Sequence, residues 1–194
     1  MTGRHGLVVL VSGGGSNLQA LVDAGLPVRA VVSNRPDAFA LQRATHAGIP
    51  TRVVERQPAE ARSAYDERLA EAVAAFDPEW VVLAGWMRLL SVAFLSRFTD
   101  RVINLHPALP GELPGLHAIE RAHAQAVAGA RTHSGVMVHL VPDEGIDSGP
   151  VLAYREVPVS ATDTFDAFAA RMHAAEHELL VSTLQSLDKE QHVA

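Results

Sequence analysis

The chain has 194 residues, 48% hydrophobic and 20% charged, with a net charge of -6 at neutral pH. That balance describes one globular domain with a full core, and its acidic sign argues against nucleic-acid or membrane-surface partners, which favour a basic face. No apolar run approaches the roughly 20 residues of a bilayer span, residues 1–6 lack a signal-peptide layout, and a cytoplasmic location is expected.

Strand and helix signals alternate through the first half. Residues 7–11 are a short apolar run ending in Ser12-Gly13-Gly14-Gly15. A helix follows from about Ser16, with Leu18, Leu21 and Val22 on one face, closed by Gly25 and Pro27. Residues 28–32 read as a second strand, 38–47 as a second helix, 51–54 as a third strand and 59–76 as a longer helix. Residues 80–84 and 101–105 are the fourth and fifth strands. Such alternation implies right-handed crossovers and a parallel sheet with helices on both faces.

The second half changes character. A Pro/Gly-rich loop at residues 107–115 precedes a helix over 116–127. Strand-like segments at 134–141 and 151–157, joined by one loop, predict an antiparallel pair extending the sheet. A final helix is predicted over 164–184. No repeat or linker interrupts the chain. The expectation is one α/β domain over 1–194, with a Rossmann-like, mostly parallel mixed sheet of about seven strands.

Absences narrow the chemistry. There is no cysteine, which removes disulfides, thiolate nucleophiles and Cys-ligated zinc. The only lysine is Lys189, which argues against a core Schiff base or a Walker-type phosphate lysine. No G-x-S-x-G elbow is present. Ten histidines form no recognisable ligand spacing, so no metal is expected. Chemistry falls to His, Asp, Glu, Asn, Arg and backbone donors.

Asn104 and His106 stand two apart at the end of an apolar strand, so their side chains share a face. Pro107 then stops the ladder. Two rigid donors at a strand's carboxyl end suit a developing oxyanion; the plainer alternative is a satisfied polar pair. The turn Ser12-Gly13-Gly14-Gly15-Ser16-Asn17 permits positive φ and opens a helix N-terminus, which fits either a phosphate or a tight turn with Ser16 as N-cap. It is neither G-x-G-x-x-G nor Walker A. Asp147, between Gly145 and Gly149, could pair with His106, raise its pKa and keep it charged, or simply shape a turn. Trp86 to Leu90 follow the fourth strand, either as an apolar wall for a flat heterocycle or as an inward-packing connection. Arg62 and Arg88 are candidate anion contacts. Taken by itself, Glu176 on the last helix reads as a solvated face residue.

The stretches VLVSGGGSNLQAL, AVVSNRPDAFALQRATHAGIP, VVLAGWMRLLS, INLHPALP, PGLHAIERA and DEGIDSGPVLA, in this order and spacing, resemble the phosphoribosylglycinamide formyltransferases. These are the folate-dependent enzymes that formylate glycinamide ribonucleotide in purine synthesis. The resemblance implies 10-formyltetrahydrofolate as co-substrate and a catalytic trio of Asn104, His106 and Asp147. It implies nucleotide binding by Gly15, Ser16, Asn17 and Glu176, the first three at the phosphate and the last near the ribose. It implies folate binding by Arg62, Met87, Arg88, Leu89, Leu90, Asn104, Asp143 and Glu144. A nucleotide phosphate half at about 1–100 and a folate and catalytic half at about 101–194 follow, in a monomer or homodimer. The loop after His106 departs from the family's Leu-Leu-Pro-x-aromatic-Pro-Gly: here it reads Leu109-Pro110-Gly111-Glu112-Leu113-Pro114-Gly115, with proline one residue early and no aromatic.

Rival readings remain. A formyltetrahydrofolate deformylase would use water as acceptor and carry a regulatory domain before the glycine turn. A methionyl-tRNA formyltransferase would carry a further C-terminal domain and a basic surface. A non-catalytic nucleotide-binding module would leave Asn104, His106 and Asp147 without a purpose.

Overall fold

A computed structural model describes residues 6–191; the leaderless reading of residues 1–5 lies outside them. Seven strands, β1 (Leu7–Val11), β2 (Val28–Ser33), β3 (Thr51–Val53), β4 (Trp80–Leu83), β5 (Val102–His106), β6 (His133–Leu140) and β7 (Val151–Pro158), form one sheet. Its order is β3-β2-β1-β4-β5-β6-β7. The described residues divide into two compact units, 6–104 with Leu140–Glu144, and Leu105–His139 with 145–191.

In the first unit β1 pairs in parallel with β2 and β4, β2 with β3, and β4 with β5. Leu10 lies opposite Leu83, and Leu83 opposite Asn104, so the carboxyl ends of β1, β4 and β5 share one edge. All five residues of β1 are buried, which is why its sequence runs apolar without alternating: both faces are covered. On one face Val8, Leu10, Val32, Val81 and Leu83 pack with Tyr65, Leu69 and Val73 of α3 (Arg62–Ala74). Leu18 and Leu21 of α1 (Ser16–Asp23), with Ala40 and Ala44 of α2 (Phe39–His46), are also fully buried.

Several boundaries move for local reasons. Helix α3 starts at Arg62 rather than 59, because Ala59 lies in the left-handed region at φ 59° and a helix cannot pass through it. A short helix α4 (Val92–Leu95), followed by a 3₁₀ turn (Ser96–Phe98), occupies a stretch with no predicted element. One turn is too short to show periodicity, and its N-terminus is held from outside: the Asp66 carboxylate of α3 accepts the Ser91 N–H at 2.7 Å.

In the second unit α5 (Ala118–Val127) begins two residues later than predicted, after Gly115 and His117 at φ 80° and 59°. Strands β6 and β7 pair antiparallel, from His133 opposite Pro158 to His139 opposite Val151, as their close spacing predicts. Helix α6 (Phe165–Gln191) runs beyond the predicted end at 184 and buries Phe168, Met172, Leu180 and Leu184 along one i, i+4 row.

Candidate active site

Gly15 follows from packing as well as from turn geometry. It has φ +74°, and a Cβ there would stand 2.5 Å from the Ala40 Cβ, so only glycine lets α2 come this close. Ala40 N–H donates to the Gly13 carbonyl at 3.0 Å and Arg43 Nε–H to the Gly14 carbonyl at 2.9 Å. Both carbonyls are thereby engaged by α2. The first intrahelical bond of α1 runs from Gln19 N–H to the Gly15 carbonyl. The N–H groups of Ser16, Asn17 and Leu18 consequently have no acceptor within the helix, the arrangement that suits an anion. Asn17 Oδ1 is buried without a hydrogen-bond partner. Ser16 is not the N-cap: Gly15 holds that position, Ser16 is the first helical residue, and no side chain caps the helix.

The segment after β4 turns its side chains alternately in and out. Trp86 and Leu90 enter the core cluster, while Met87 and Leu89 are 62% and 46% exposed. The Leu90 side chain therefore packs inward, and only its backbone is left for a ligand. Arg88 stacks its guanidinium 4.9 Å from the centroid of the Tyr65 ring, a cation–π contact. Burial pushes the Tyr65 hydroxyl up to about 12; it donates to the Val54 carbonyl at 2.9 Å. Arg62 forms an ion pair with Glu144, and Glu144 also accepts the Val92 N–H at 2.9 Å. That backbone bond first, with Arg62 behind it, holds the Glu144 carboxyl below its ordinary range. Asp143 is exposed on the loop beside it. Asn104, half-buried, lies at this same sheet edge.

Strand β5 continues from Asn104 to His106, which is 4% exposed. In the second unit, His106 Nδ1 stands 3.3 Å from Asp147 Oδ2, and its Nε2 is 3.0 Å from the Leu113 carbonyl. Asp147 Oδ2 also accepts the Gly115 N–H at 2.8 Å. A buried histidine weighed in the sequence only as a metal ligand, and not placed with the trio, joins the group: His139 Nε2 lies 3.6 Å from Asp147 Oδ1, and His139 is 2% exposed. Strand parity gave no signal for it: β6 is buried on both faces from Ser134 to His139, and His133, which has the same parity, is exposed.

The electrostatics pull His106 in two directions. Burial lowers the His106 pKa and outweighs Asp147 and the Leu113 carbonyl, which both raise it. Burial thus favours the neutral ring, while the carboxylate at Nδ1 and the carbonyl at Nε2 favour the charged one. Burial pushes the Asp147 carboxyl up, but the donors from His139 and Gly115, together with the imidazole charges, bring it below its ordinary range. Among the groups that lower it, His139 and the Gly115 N–H come before His106. The loop without the family's aromatic residue is anchored by Glu112 on Arg131 at 2.5 Å and by Arg121 on the Pro114 carbonyl at 2.9 Å. Leu113, at φ 44°, turns its carbonyl to the imidazole. A cavity of about 410 Å³ opens here, lined by Pro110, Met137, Ile146 and Asp147 among others.

Glu176 is not a solvated face residue. It is 6% exposed and pairs with His173 Nδ1 at 2.7 Å. The hydrogen bond from Glu176 first, against partial burial, raises the His173 pKa. Among the described residues no group of three His, Cys, Asp or Glu side chains could hold a metal ion. No described helix is long and apolar enough to cross a membrane.

A mostly parallel seven-stranded sheet with helices, a glycine turn after β1 and a buried imidazole–carboxylate pair at the end of β5 define a Rossmann-like α/β protein. The chain belongs to the formyl transferase family, whose pattern matches residues 6–184. It is 44% identical over 199 residues to the phosphoribosylglycinamide formyltransferase of Schizosaccharomyces pombe, covering 93% of this chain and 96% of that one. It is also 44% identical over 179 residues to the Escherichia coli K12 phosphoribosylglycinamide formyltransferase, covering 89% and 82%. The crystal structure of the phosphoribosylglycinamide formyltransferase from Streptococcus pneumoniae TIGR4 superposes with a TM-score of 0.86 at 36% identity, over 94% of this chain and 98% of the other.

Proposed function

We propose that the protein transfers the formyl group of 10-formyltetrahydrofolate to the amine of glycinamide ribonucleotide, with Asn104, His106 and Asp147 at the reacting carbon. One observation carries the residue assignment. A buried His106–Asp147 contact of 3.3 Å stands two residues along the same strand from Asn104, so the amide and the imidazole leave that strand on one face.

The amine lone pair attacks the formyl carbon, and the carbonyl electrons move to oxygen. Asn104 donates an amide N–H to that oxyanion, where one aligned donor is worth about 2.7–4 kcal/mol. His106 takes the proton shed by the attacking nitrogen. The resulting imidazolium is stabilised by the ionised Asp147 beside Nδ1. The carbon–nitrogen bond to the folate then breaks with its electrons on that nitrogen, which receives the proton and departs as tetrahydrofolate. The substrate displaces the Leu113 carbonyl from His106 Nε2 for this to happen.

The remaining assignments follow the family pattern. Gly15, Ser16 and Asn17 take the phosphate and Glu176 lies near the ribose. The backbone at Met87, Arg88, Leu89 and Leu90, with Arg62, Asp143 and Glu144, takes the folate. The setting is the cytoplasm, where a chain without cysteine needs no oxidising compartment.

The test follows loss of the formyl group from 10-formyltetrahydrofolate with and without glycinamide ribonucleotide. Loss only with the nucleotide supports transfer. Loss without it makes water the acceptor and the protein a deformylase. No loss in either arm leaves a nucleotide-binding module and overturns the reading.

A further inference from the structure

Ser12 is the last residue before the glycine turn and is 5% exposed. It is bonded three times. Its N–H donates to the Gly85 carbonyl at 3.1 Å, its Oγ accepts the Met87 N–H at 3.0 Å, and its hydroxyl donates to Asn34 Oδ1 at 2.7 Å. Two of these bonds grip the chain on either side of Trp86, just beyond the end of β4. The ordinary ladder between β1 and β4 ends one step earlier, at Ala84 N–H to the Leu10 carbonyl. Beyond it, Ser12 is what ties the glycine turn to the start of the 85–90 segment. Asn34, at the end of β2, fixes the hydroxyl rotor so that a lone pair faces Met87.

From this geometry we infer that Ser12 is a positioning residue that couples the two substrates: it makes the phosphate turn and the folate wall one mechanical body. The inference rests on the reading above that residues 15–17 take the nucleotide phosphate and residues 87–90 the folate. A ligand that orders residues 13–17 orders Ser12, and through its Oγ and N–H it orders residues 85–87, so the second ligand meets a segment already set. Each ligand then strengthens binding of the other by the same factor, as linkage requires. Without the hydroxyl, the N–H bond to Gly85 remains, but the Met87 N–H loses its acceptor and residues 87–90 are released from the turn.

Calorimetry tests this with glycinamide ribonucleotide and tetrahydrofolate, a pair that cannot react because no formyl group is present. In the wild-type chain each ligand should tighten the other by about fivefold or more, within the usual range for coupled sites. Ser12→Ala should bind each ligand alone with nearly wild-type affinity but bring the mutual factor close to one, and Ser12→Thr, which keeps a hydroxyl, should restore it. A general loss of stability would instead weaken both single affinities and leave their ratio unchanged. If Ser12→Ala does not fold, Asn34→Ala replaces it and should reduce the factor by loosening the hydroxyl. A wild-type factor of one, or a factor unchanged in the variant that folds, overturns the coupling role. Failure of the wild-type chain to bind either ligand strikes instead at the substrate assignment on which the inference stands.

Discussion

His139 stands behind Asp147, with its Nε2 3.6 Å from the Oδ1 oxygen, while the other carboxylate oxygen faces His106. His139 is the first of the groups that hold the Asp147 carboxyl below its ordinary range, and it does so from the oxygen that does not face His106. Substituting His139→Leu keeps the approximate volume and removes the donor. We predict that it lowers kcat about tenfold, the equivalent of roughly one pKa unit at the Asp147 carboxyl that His139 helps to hold down. The KM for the nucleotide should stay within about twofold. Unchanged turnover would reduce His139 to a space-filling role.

Asn104 is half-buried at the sheet edge where it pairs in register with Leu83. If its amide serves the oxyanion, Asn104→Ala should lower kcat by about 10²–10³. The fold should be kept, as read from the circular dichroism spectrum. Activity within a few-fold of wild type would remove Asn104 from the mechanism.

The sheet was legible because β1, β2, β4 and β5 are apolar runs separated by helical spacing, and the structure keeps all of them. The charge state of His106 was not, because it depends on burial, which no spacing reports. His139 was visible as a histidine in an apolar strand, but nothing in the sequence placed it behind Asp147. Glu176 was misread despite an available signal: it lies on the same i, i+4 row as Phe168, Met172, Leu180 and Leu184, all buried. An acidic residue on a core row is a buried group with a partner, here His173. The Ser91 N–H held by Asp66 was hidden for a different reason: it joins segments far apart in the chain, and a one-turn helix leaves no periodic trace.

The lowered His106 pKa has a signed consequence for rate and stability. If the neutral ring accepts the proton, kcat should be flat at neutral pH and fall on the acid side, below the ordinary value of 6.5. Asp147 raises the His106 pKa, so Asp147→Asn should move this acid limb to still lower pH while the plateau drops by about 10²-fold or more. For stability, the unfolded chain protonates His106 at a higher pH than the folded chain does. The contribution is therefore complete above about pH 6.5 and is lost as pH falls through the folded value. Profiles of kcat for the wild-type and Asp147→Asn proteins check the sign; a limb that moves upward in the variant contradicts the raising effect of Asp147, and a wild-type kcat that falls on the alkaline side instead contradicts a proton-accepting His106.

Gly15→Ala separates the packing role of the glycine turn from its proposed phosphate role. The backbone there sits at φ +74°, which costs an L residue about 1–3 kcal/mol. The added Cβ meets Ala40 at 2.5 Å from its Cβ and 2.8 Å from its Cα, and the second contact is backbone that cannot rotate away. Relief requires α2 to move, which pulls on the Ala40–Gly13 and Arg43–Gly14 bonds that set the turn's carbonyls. We predict a loss of stability of about 2–4 kcal/mol in urea unfolding, the backbone cost plus overpacking. Weaker binding of inorganic phosphate should accompany it. Gly14→Ala meets no atom within 4 Å and has no positive φ to surrender, so it should leave stability nearly intact. Equal stability of the two variants would show that the α1–α2 contact does not require glycine.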